Sequence, residues 1–191
     1  MKVTKEQSEL NRQALLDAAG RLFKQHGIDG VGVADICKAA GLTHGALYKH
    51  FADKQDLAAQ AFAHSFRRGF DKTTRPKGGA APTLATYLDP YLSRRVRDDH
   101  GAGCPVVTAA CDTGRQSEAV SRSYTAGFLE LRDGLQAVLD PDGTDPARAT
   151  LAVAALIGAM SISRGVVKTD PKLADDVLRL VRRGIEQLAP D

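Results

Sequence analysis

Polar side chains of complementary chemistry fall close together between residues 41 and 57. They are His44, Tyr48, Lys49 and His50, and Lys54 adds a second cation one turn further on. A lysine ammonium attracts an anion, a tyrosine joins an apolar ring to a hydroxyl donor, and a histidine donates or accepts through its ring nitrogens. These groups suit binding to a polyanion that also presents hydrogen-bonding edges.

The neighbouring residues predict how these side chains are positioned. Gly41 supplies a tight turn after the apolar segment 33–40, and Thr43 can cap the next helix by accepting a backbone N–H. Leu47 and Phe51 lie four residues apart and face inward, so the polar side chains point outward. Two short helices joined by a glycine turn predict a helix-turn-helix, an arrangement that presents side chains to duplex DNA.

Other chemistries find little support in the sequence. His44 and His50 have no cysteine or carboxylate partner at metal-ligand spacing, and we find no nucleophile–base pair or phosphate-binding loop. We therefore expect no enzyme activity, no metal and no cofactor. The alternative from a different class of protein is a helical-bundle enzyme whose helix-turn-helix is vestigial.

Composition predicts a globular protein with a basic N-terminal part. Of 191 residues, 43% are hydrophobic and the net charge is +3. Residues 1–75 hold 12 Lys/Arg against 8 Asp/Glu, whereas residues 76–191 hold 14 against 15, so the basic excess lies with the suspected DNA-binding segment. The first residues lack a signal-peptide core, and three cysteines fit a reducing compartment, so we expect a cytoplasmic location. The longest apolar run, 149–162, is too short for a bilayer, so no membrane partner is expected.

Hydrophobic spacing predicts helices throughout, and no segment alternates like a strand. The predicted helices are about 5–26, 33–40, 43–50, 54–71, 83–96, 105–112, 116–139, 147–164 and 171–188. A linker rich in proline and glycine covers 75–82, and Asp145 caps the penultimate helix, with Pro146 at the first helical position. The prediction is an all-α fold of about nine helices. It comprises a three-helix DNA-binding head, residues 1–53, and a larger ligand-binding and dimerisation body, residues 54–191.

This pattern resembles the TetR family of bacterial transcriptional repressors. Family members look like Gly-Val-Ser-x-Gly-x-Leu-Tyr-x-His-Phe-x-x-Lys-x-x-Leu. The chain fits at Gly41, Gly45, Leu47, Tyr48, His50, Phe51, Lys54 and Leu57, and upstream at Leu22, Phe23 and Gly27. The body resembles the family only in the order and length of its helices.

The resemblance implies a homodimer that binds a palindromic double-stranded DNA operator. It also implies a small-molecule effector site in the body that changes the spacing of the two heads. The residues that inherit a DNA-binding role by position are Thr43, His44, Ala46, Tyr48, Lys49, His50 and Lys54. Residues 43–46 begin the recognition helix in the major groove, residues 48–50 contact phosphates or base edges, and Lys54 binds phosphate.

Gly32 departs from the family pattern. The family usually has Ser or Thr there, which caps the second helix and contacts phosphate. This chain keeps only a backbone N–H that could contact the phosphate, because glycine has no hydroxyl.

Cys104 is a candidate sensor. Pro105 fits the first turn of a helix, which places Cys104 at the N-cap, where the helix dipole lowers a thiol pKa. The segment also resembles a branch of TetR regulators in which a cysteine near the sixth helix responds to electrophiles or oxidants. The alternative is a small buried apolar side chain. If one helix spans 105–112, Cys111 lies about 10.5 Å along it from Cys104, too far for a disulfide.

The aromatic residues of the body are the best candidates for an effector site. They are Tyr87 and Tyr91, one turn apart, and Tyr124 and Phe128, also one turn apart. Together with Cys104 and Val107 they predict a cavity for a flat or apolar effector. No charged cluster is visible, which disfavours a strongly ionic ligand. Core packing is the competing interpretation.

The last two helices are the predicted dimer face. Small residues there permit close approach and larger ones can build a four-helix bundle with a second chain: Ala155, Leu156, Ile157, Gly158, Ala159, Met160, Val177, Leu180 and Val181. The same side chains could instead close the monomer's own core. The sequence therefore predicts a dimeric repressor released from DNA by a small apolar or electrophilic effector. A redox switch that uses Cys104 without a diffusible ligand is the alternative.

Overall fold

The structure is a computed structural model that describes residues 4–75, 79–143, 145 and 147–189. All regular elements within these ranges are helices, as predicted. They are α1 (Lys5–His26), α2 (Val33–Ala40), α3 (His44–Tyr48), α4 (Lys54–Thr74), α5 (Leu84–Tyr91), α6 (Arg94–Asp98), α7 (Pro105–Thr108), α8 (Ala110–Thr113), α9 (Glu118–Leu139), α10 (Ala147–Val166) and α11 (Pro171–Glu186).

Eleven helical segments in the described residues replace the predicted nine because two predicted helices are broken. The helix predicted over 83–96 ends at Tyr91, and Ser93 caps the short α6 by accepting the Val96 N–H. The helix predicted over 105–112 breaks at Ala109, which has φ −119° and ψ 9°, giving α7 and α8. Part of the predicted linker, residues 76–78, and Pro146, the proline predicted at the start of the penultimate helix, lie outside the described residues.

Helices α1 to α3 pack around their own apolar core. Leu15 and Ala19 of α1 meet Ile36 of α2 and Leu47 of α3, and all four are fully buried. Gly41 ends α2 in the left-handed conformation, with φ 67°, which favours glycine. The turn it makes sets the angle between α2 and α3.

Helix α4 joins the head to the body. Its first half contributes Leu57 and Ala61 to the head core, and its second half contributes Phe66 to the body core. Val120 of α9 also lies in the head core. The predicted division after residue 53 remains a prediction, since these contacts tie the two parts together through α4 and α9.

The body core lies between α4, α5, α9, α10 and α11. Leu135 of α9, Leu156 of α10 and Leu178 of α11 are among its buried residues. Helix α10 is longer than the apolar run predicted over 149–162, and by length and composition alone it could cross a membrane. Here it packs against α9 and α11.

Candidate DNA-binding surface and effector site

The exposed side of α3 carries the predicted recognition residues. Thr43 caps α3, and its hydroxyl accepts the Ala46 N–H at 3.3 Å. His44 is exposed, Ala46 is half-buried, and 56% of Tyr48 is exposed although Leu47 beside it is fully buried. An exposed tyrosine of this kind is available to a partner, whereas an aromatic that serves only in packing would be buried.

The remaining predicted DNA-binding residues follow directly after α3. Lys49 is the exposed C-cap of α3, and His50 is half-buried with its ring 6.2 Å from that of Phe51. Lys54 is the first residue of α4. The structure therefore brings all seven residues together on one connected segment.

A reciprocal cap fixes the position of Lys54. The Asp53 carboxylate accepts the Asp56 N–H at 2.8 Å, and the Asp56 carboxylate accepts the Ala52 N–H at 3.0 Å. The two bonds satisfy backbone donors that a helix start leaves free. They hold the first turn of α4, and with it Lys54, close to the end of α3.

The structure modifies the expectation for Gly32. Its N–H donates to the Asp35 carboxylate at 3.0 Å, as the N-cap of α2. The backbone donor considered for phosphate is therefore already used within the protein. Sequence reasoning overlooked Asp35 as its acceptor, although an acid three residues after a cap is a recognised signal.

The predicted effector residues meet in the body core. Tyr87, Tyr91 and Val107 are buried members of this core, and Cys104, Tyr124 and Phe128 pack against it, half-buried. An aromatic series runs along α4 between them: the Phe62 and Tyr124 rings are 5.7 Å apart, the Phe66 and Phe70 rings are 5.2 Å apart, and the Phe70 and Tyr87 rings are 6.5 Å apart. All six residues therefore lie in or against one core, and aromatic side chains of α4 fill the space beside Tyr87 and Tyr124.

Two glycines of α9 show how tightly this region is packed. A Cβ on Gly134 would lie 2.6 Å from the Tyr87 hydroxyl, and a Cβ on Gly127 would lie 3.2 Å from the Phe66 ring. The clefts that open along α1, α4 and α11 are lined by other residues. A ligand at the aromatic residues would have to move side chains apart.

The structure corrects the prediction that the Cys104 thiol is activated. It is the N-cap of α7, as predicted, but α7 is only four residues long. Burial raises the pKa of the Cys104 thiol, and this outweighs the lowering effect of hydrogen bonds from the Tyr91 hydroxyl and the backbone of Val106 and Val107. Desolvation disfavours the thiolate more than one helical turn can stabilise it. Cys111 is exposed, and all three cysteines are free.

A contact between head and body at Lys24 was not predicted. The Lys24 ammonium, near the end of α1, donates to the Gly103 carbonyl at 3.3 Å, directly before Cys104. Burial lowers the pKa of Lys24. A lysine 79 positions from its acceptor leaves no local pattern that could have indicated this bond.

The predicted dimer residues divide into three groups, and one of these is half-buried against the body core: Ala155, Ile157, Val177 and Val181. Leu156, Ala159 and Met160 are at most 1% exposed within the single chain, so for these the core interpretation was correct. Leu180 is 56% exposed, and the space in front of Gly158 is open. The outer side of α10 and α11 also exposes large apolar residues that were not predicted: Leu151, Ile162 and Leu173.

Known proteins match this chain along most of its length. Residues 15–61 match the family described as bacterial regulatory proteins, tetR family, and residues 80–171 match the C-terminal domain of LmrA/YxaF-like transcriptional regulators. The chain is 26% identical over 200 aligned residues to the transcriptional regulator TtgR of Pseudomonas putida, covering 97% of this chain and 94% of that protein.

Two further similarities concern a short segment of the sequence and the fold of the whole chain. The regulator AcrR of Shigella flexneri is 47% identical over 57 residues, which cover 30% of this chain and 26% of that protein. A TetR-family regulator from Agrobacterium tumefaciens superposes with a TM-score of 0.77 at 20% identity, covering 96% of this chain and 100% of that one, a likeness of fold alone. With both parts of the chain matched and the helix-turn-helix in place, the chain belongs to the TetR family of DNA-binding transcriptional regulators.

Proposed function

We propose that this regulator is a dimeric repressor that binds a palindromic operator and leaves it when a small apolar or electrophilic molecule enters the body. The observation that carries the proposal is the segment from Thr43 to Lys54, which is held by the Thr43 and Asp53 caps and exposes Thr43, His44, Tyr48 and Lys49. Its function would be confined to the cytoplasm, where the DNA is.

Within this proposal the seven residues take different roles. Thr43, His44 and Ala46 lie at the start of α3, where side chains reach base edges in a major groove. Tyr48 and Lys49 are exposed and suit phosphate oxygens, one through a hydroxyl and the other through a charge. Lys54 contributes a cation to phosphate binding. His50 either contacts DNA or packs its ring beside that of Phe51.

Effector action would pass through α4. The helix carries Phe62, Phe66 and Phe70 against the aromatic residues of the body, and its N-terminal turn carries Lys54. A ligand that separates Tyr87 from Phe70 would shift α4, and with it the head. The predicted boundary between residues 53 and 54 is, in this proposal, the point where that movement is transmitted.

Dimerisation would use the outer side of α10 and α11. Leu151, Ile162, Leu173 and Leu180 are all at least 45% exposed. The two residues on α10 are eleven positions apart and the two on α11 are seven apart, so each pair lies on one side of its helix. A two-fold interface would bury the same patch of both chains. It would also place two heads so that they read two half-sites.

Selection of bound sequences from randomised DNA duplexes tests the proposal. Full-length protein should enrich a two-fold symmetric sequence whose half-sites lie about 10 base pairs, or a multiple of that, apart. Enrichment of an asymmetric site would contradict the dimeric arrangement. No enrichment would contradict the proposal as a whole.

The redox alternative has its own test. If Cys104 is the sensor, oxidant should release the wild-type protein from the selected duplex and leave the Cys104→Ser variant bound. The raised thiol pKa argues against this outcome, because the thiolate is the reactive form. Release of both proteins by the same oxidant would exclude Cys104 as the sensor.

A further inference from the structure

A basic groove runs along the junction of head and body. Its walls are α1, with Arg21 and Lys24, and α4, with Arg68 and Lys72, and the loop at Gly103 closes one end. Its volume is about 570 Å³. This lies within the usual range of small-molecule sites, roughly 300–1,000 Å³.

Most cations of the groove have no close ion-pair partner among the described residues. The groove's one carboxylate, Asp17, is already engaged by Arg68 at 2.6 Å and by His64 at 2.9 Å, through the same oxygen. Among the described residues, no carboxylate lies within 4 Å of the charged groups of Arg21, Lys24 or Lys72. Three cations therefore face the groove without an ionic partner in the described part of the chain.

Lys24 is the least exposed of these cations. Among the described residues, its ammonium has only the Gly103 carbonyl as a hydrogen-bond acceptor, at 3.3 Å, although it can donate three bonds. Burial is the main cause that lowers its pKa, Cys104 and Asp99 offset this only in part, and Arg164 and Arg68 add to the lowering. An anion beside Lys24 would accept hydrogen bonds from its ammonium and reduce the repulsion between Lys24 and the other cations.

The groove also has space for a ligand. Small residues, including Ala14 and Ala18, line it, and a Cβ at Gly69 would meet nothing within 4 Å. Guanidinium groups bind oxyanions through paired hydrogen bonds, and the groove offers one on each wall. A ligand with negative charge at both ends would contact both walls at once.

We propose that this groove binds a small multivalent oxyanion, a phosphorylated or polycarboxylate molecule, at a site separate from the aromatic residues of the body. The anion would connect Arg21 and Lys24 of α1 to Arg68 and Lys72 of α4. This site does not depend on the proposed effector or on the oligomeric state. The sequence hides it, because the cations come from segments more than 40 residues apart.

Isothermal titration calorimetry of the full-length, DNA-free protein tests the site, with pyrophosphate and citrate as probes at constant ionic strength. We expect the Arg21→Gln/Lys72→Gln variant to lose at least tenfold in affinity for the probe that binds. Both side chains are exposed and have no ionic partner among the described residues, so the variant should fold normally. Binding of pyrophosphate alone assigns the site to phosphates, and binding of citrate alone assigns it to carboxylates.

The matched control is Arg67→Gln/Lys168→Gln, which removes one arginine and one lysine that are exposed and lie outside the groove. It should change the affinity less than twofold. Equal losses in the two variants would show a diffuse electrostatic effect and overturn the proposal, as would no binding of either probe to the wild type. A second variant, Gly69→Glu, places a negative charge in the groove and should abolish binding, whereas Gly69→Gln should weaken it much less.

Discussion

The Lys24 ammonium donates a hydrogen bond to the carbonyl of Gly103 at 3.3 Å and so joins the end of α1 to the residue before Cys104. The bond links a helix of the head to the loop that leads into α7. Burial lowers the pKa of this lysine from its ordinary value of 10.5, so its charge is disfavoured in the folded state.

The lowered pKa of Lys24 predicts that the effect of Lys24→Met on the free energy of unfolding depends on pH. The substitution keeps most of the aliphatic stem and removes the charge. Between the lowered folded pKa and 10.5 the unfolded state binds more protons, so wild-type stability gains from Lys24 as pH rises. The free energy of unfolding of the wild type should therefore improve relative to Lys24→Met between pH 7 and pH 10. Urea unfolding at several pH values measures the difference, and a constant or opposite trend would contradict the assignment.

Replacing Gly32 by serine should increase the affinity for DNA. Gly32→Ser adds a hydroxyl at the N-cap of α2, where φ −83° and ψ 154° suit any residue. One added hydrogen bond to a DNA phosphate should raise the affinity about two- to tenfold. Gly32→Ala is the control, because it adds a Cβ near Asp35 without a hydroxyl and should not tighten binding. Equal affinities of the two variants would place this position away from phosphate.

The two cysteines of the α7–α8 region should react differently. Cys111 is exposed, whereas burial raises the pKa of Cys104 above its ordinary value of 9.0. At pH 7.5 iodoacetamide should label Cys111 well before Cys104, and labelling of Cys104 should still accelerate beyond pH 9. Peptide mass spectrometry measures both rates. Faster labelling of Cys104 at pH 7.5 would favour the redox-sensing alternative.

A charge at Leu180, on the outer side of α11, tests the proposed dimer interface. Leu180→Glu should convert a dimer into a monomer of 20.3 kDa without loss of helix content, because Leu180 is 56% exposed in the single chain. Leu129→Glu, on α9 and 38% exposed, should leave the dimer intact. Light scattering after gel filtration measures the mass. Leu180→Glu protein that remains dimeric would place the interface elsewhere.

The head was predictable from sequence because its signals are local. Gly41, Thr43 and the apolar pair Leu47 and Phe51 sit within one segment, and α1 and α2 begin and end at the predicted residues. The family pattern also depends on this segment. The exposed helix that carries the candidate recognition residues was predictable for the same reason.

The body was less predictable because its decisive contacts are distant in sequence. Which apolar residues of α10 face inward depends on α9 and α11, so the sequence left Leu156 between the dimer interface and the core, where it is in fact fully buried. The thiol pKa of Cys104 depends on desolvation, which no spacing rule contains. The basic groove combines α1, α4 and the loop at Gly103, and no single segment has its charge.

Specific DNA binding by the segment from Thr43 to Lys54 is the central claim of the proposed repressor function. Fluorescence anisotropy of the selected duplex and of a scrambled duplex, over a series of KCl concentrations, measures it. The wild type should prefer the selected duplex, and its affinity should fall steeply with salt. Lys54→Ala should weaken binding to both duplexes alike and lower the salt slope by about one, whereas His44→Ala should reduce the preference between them. Equal, salt-independent binding of both duplexes by the wild type would show that this segment does not recognise DNA.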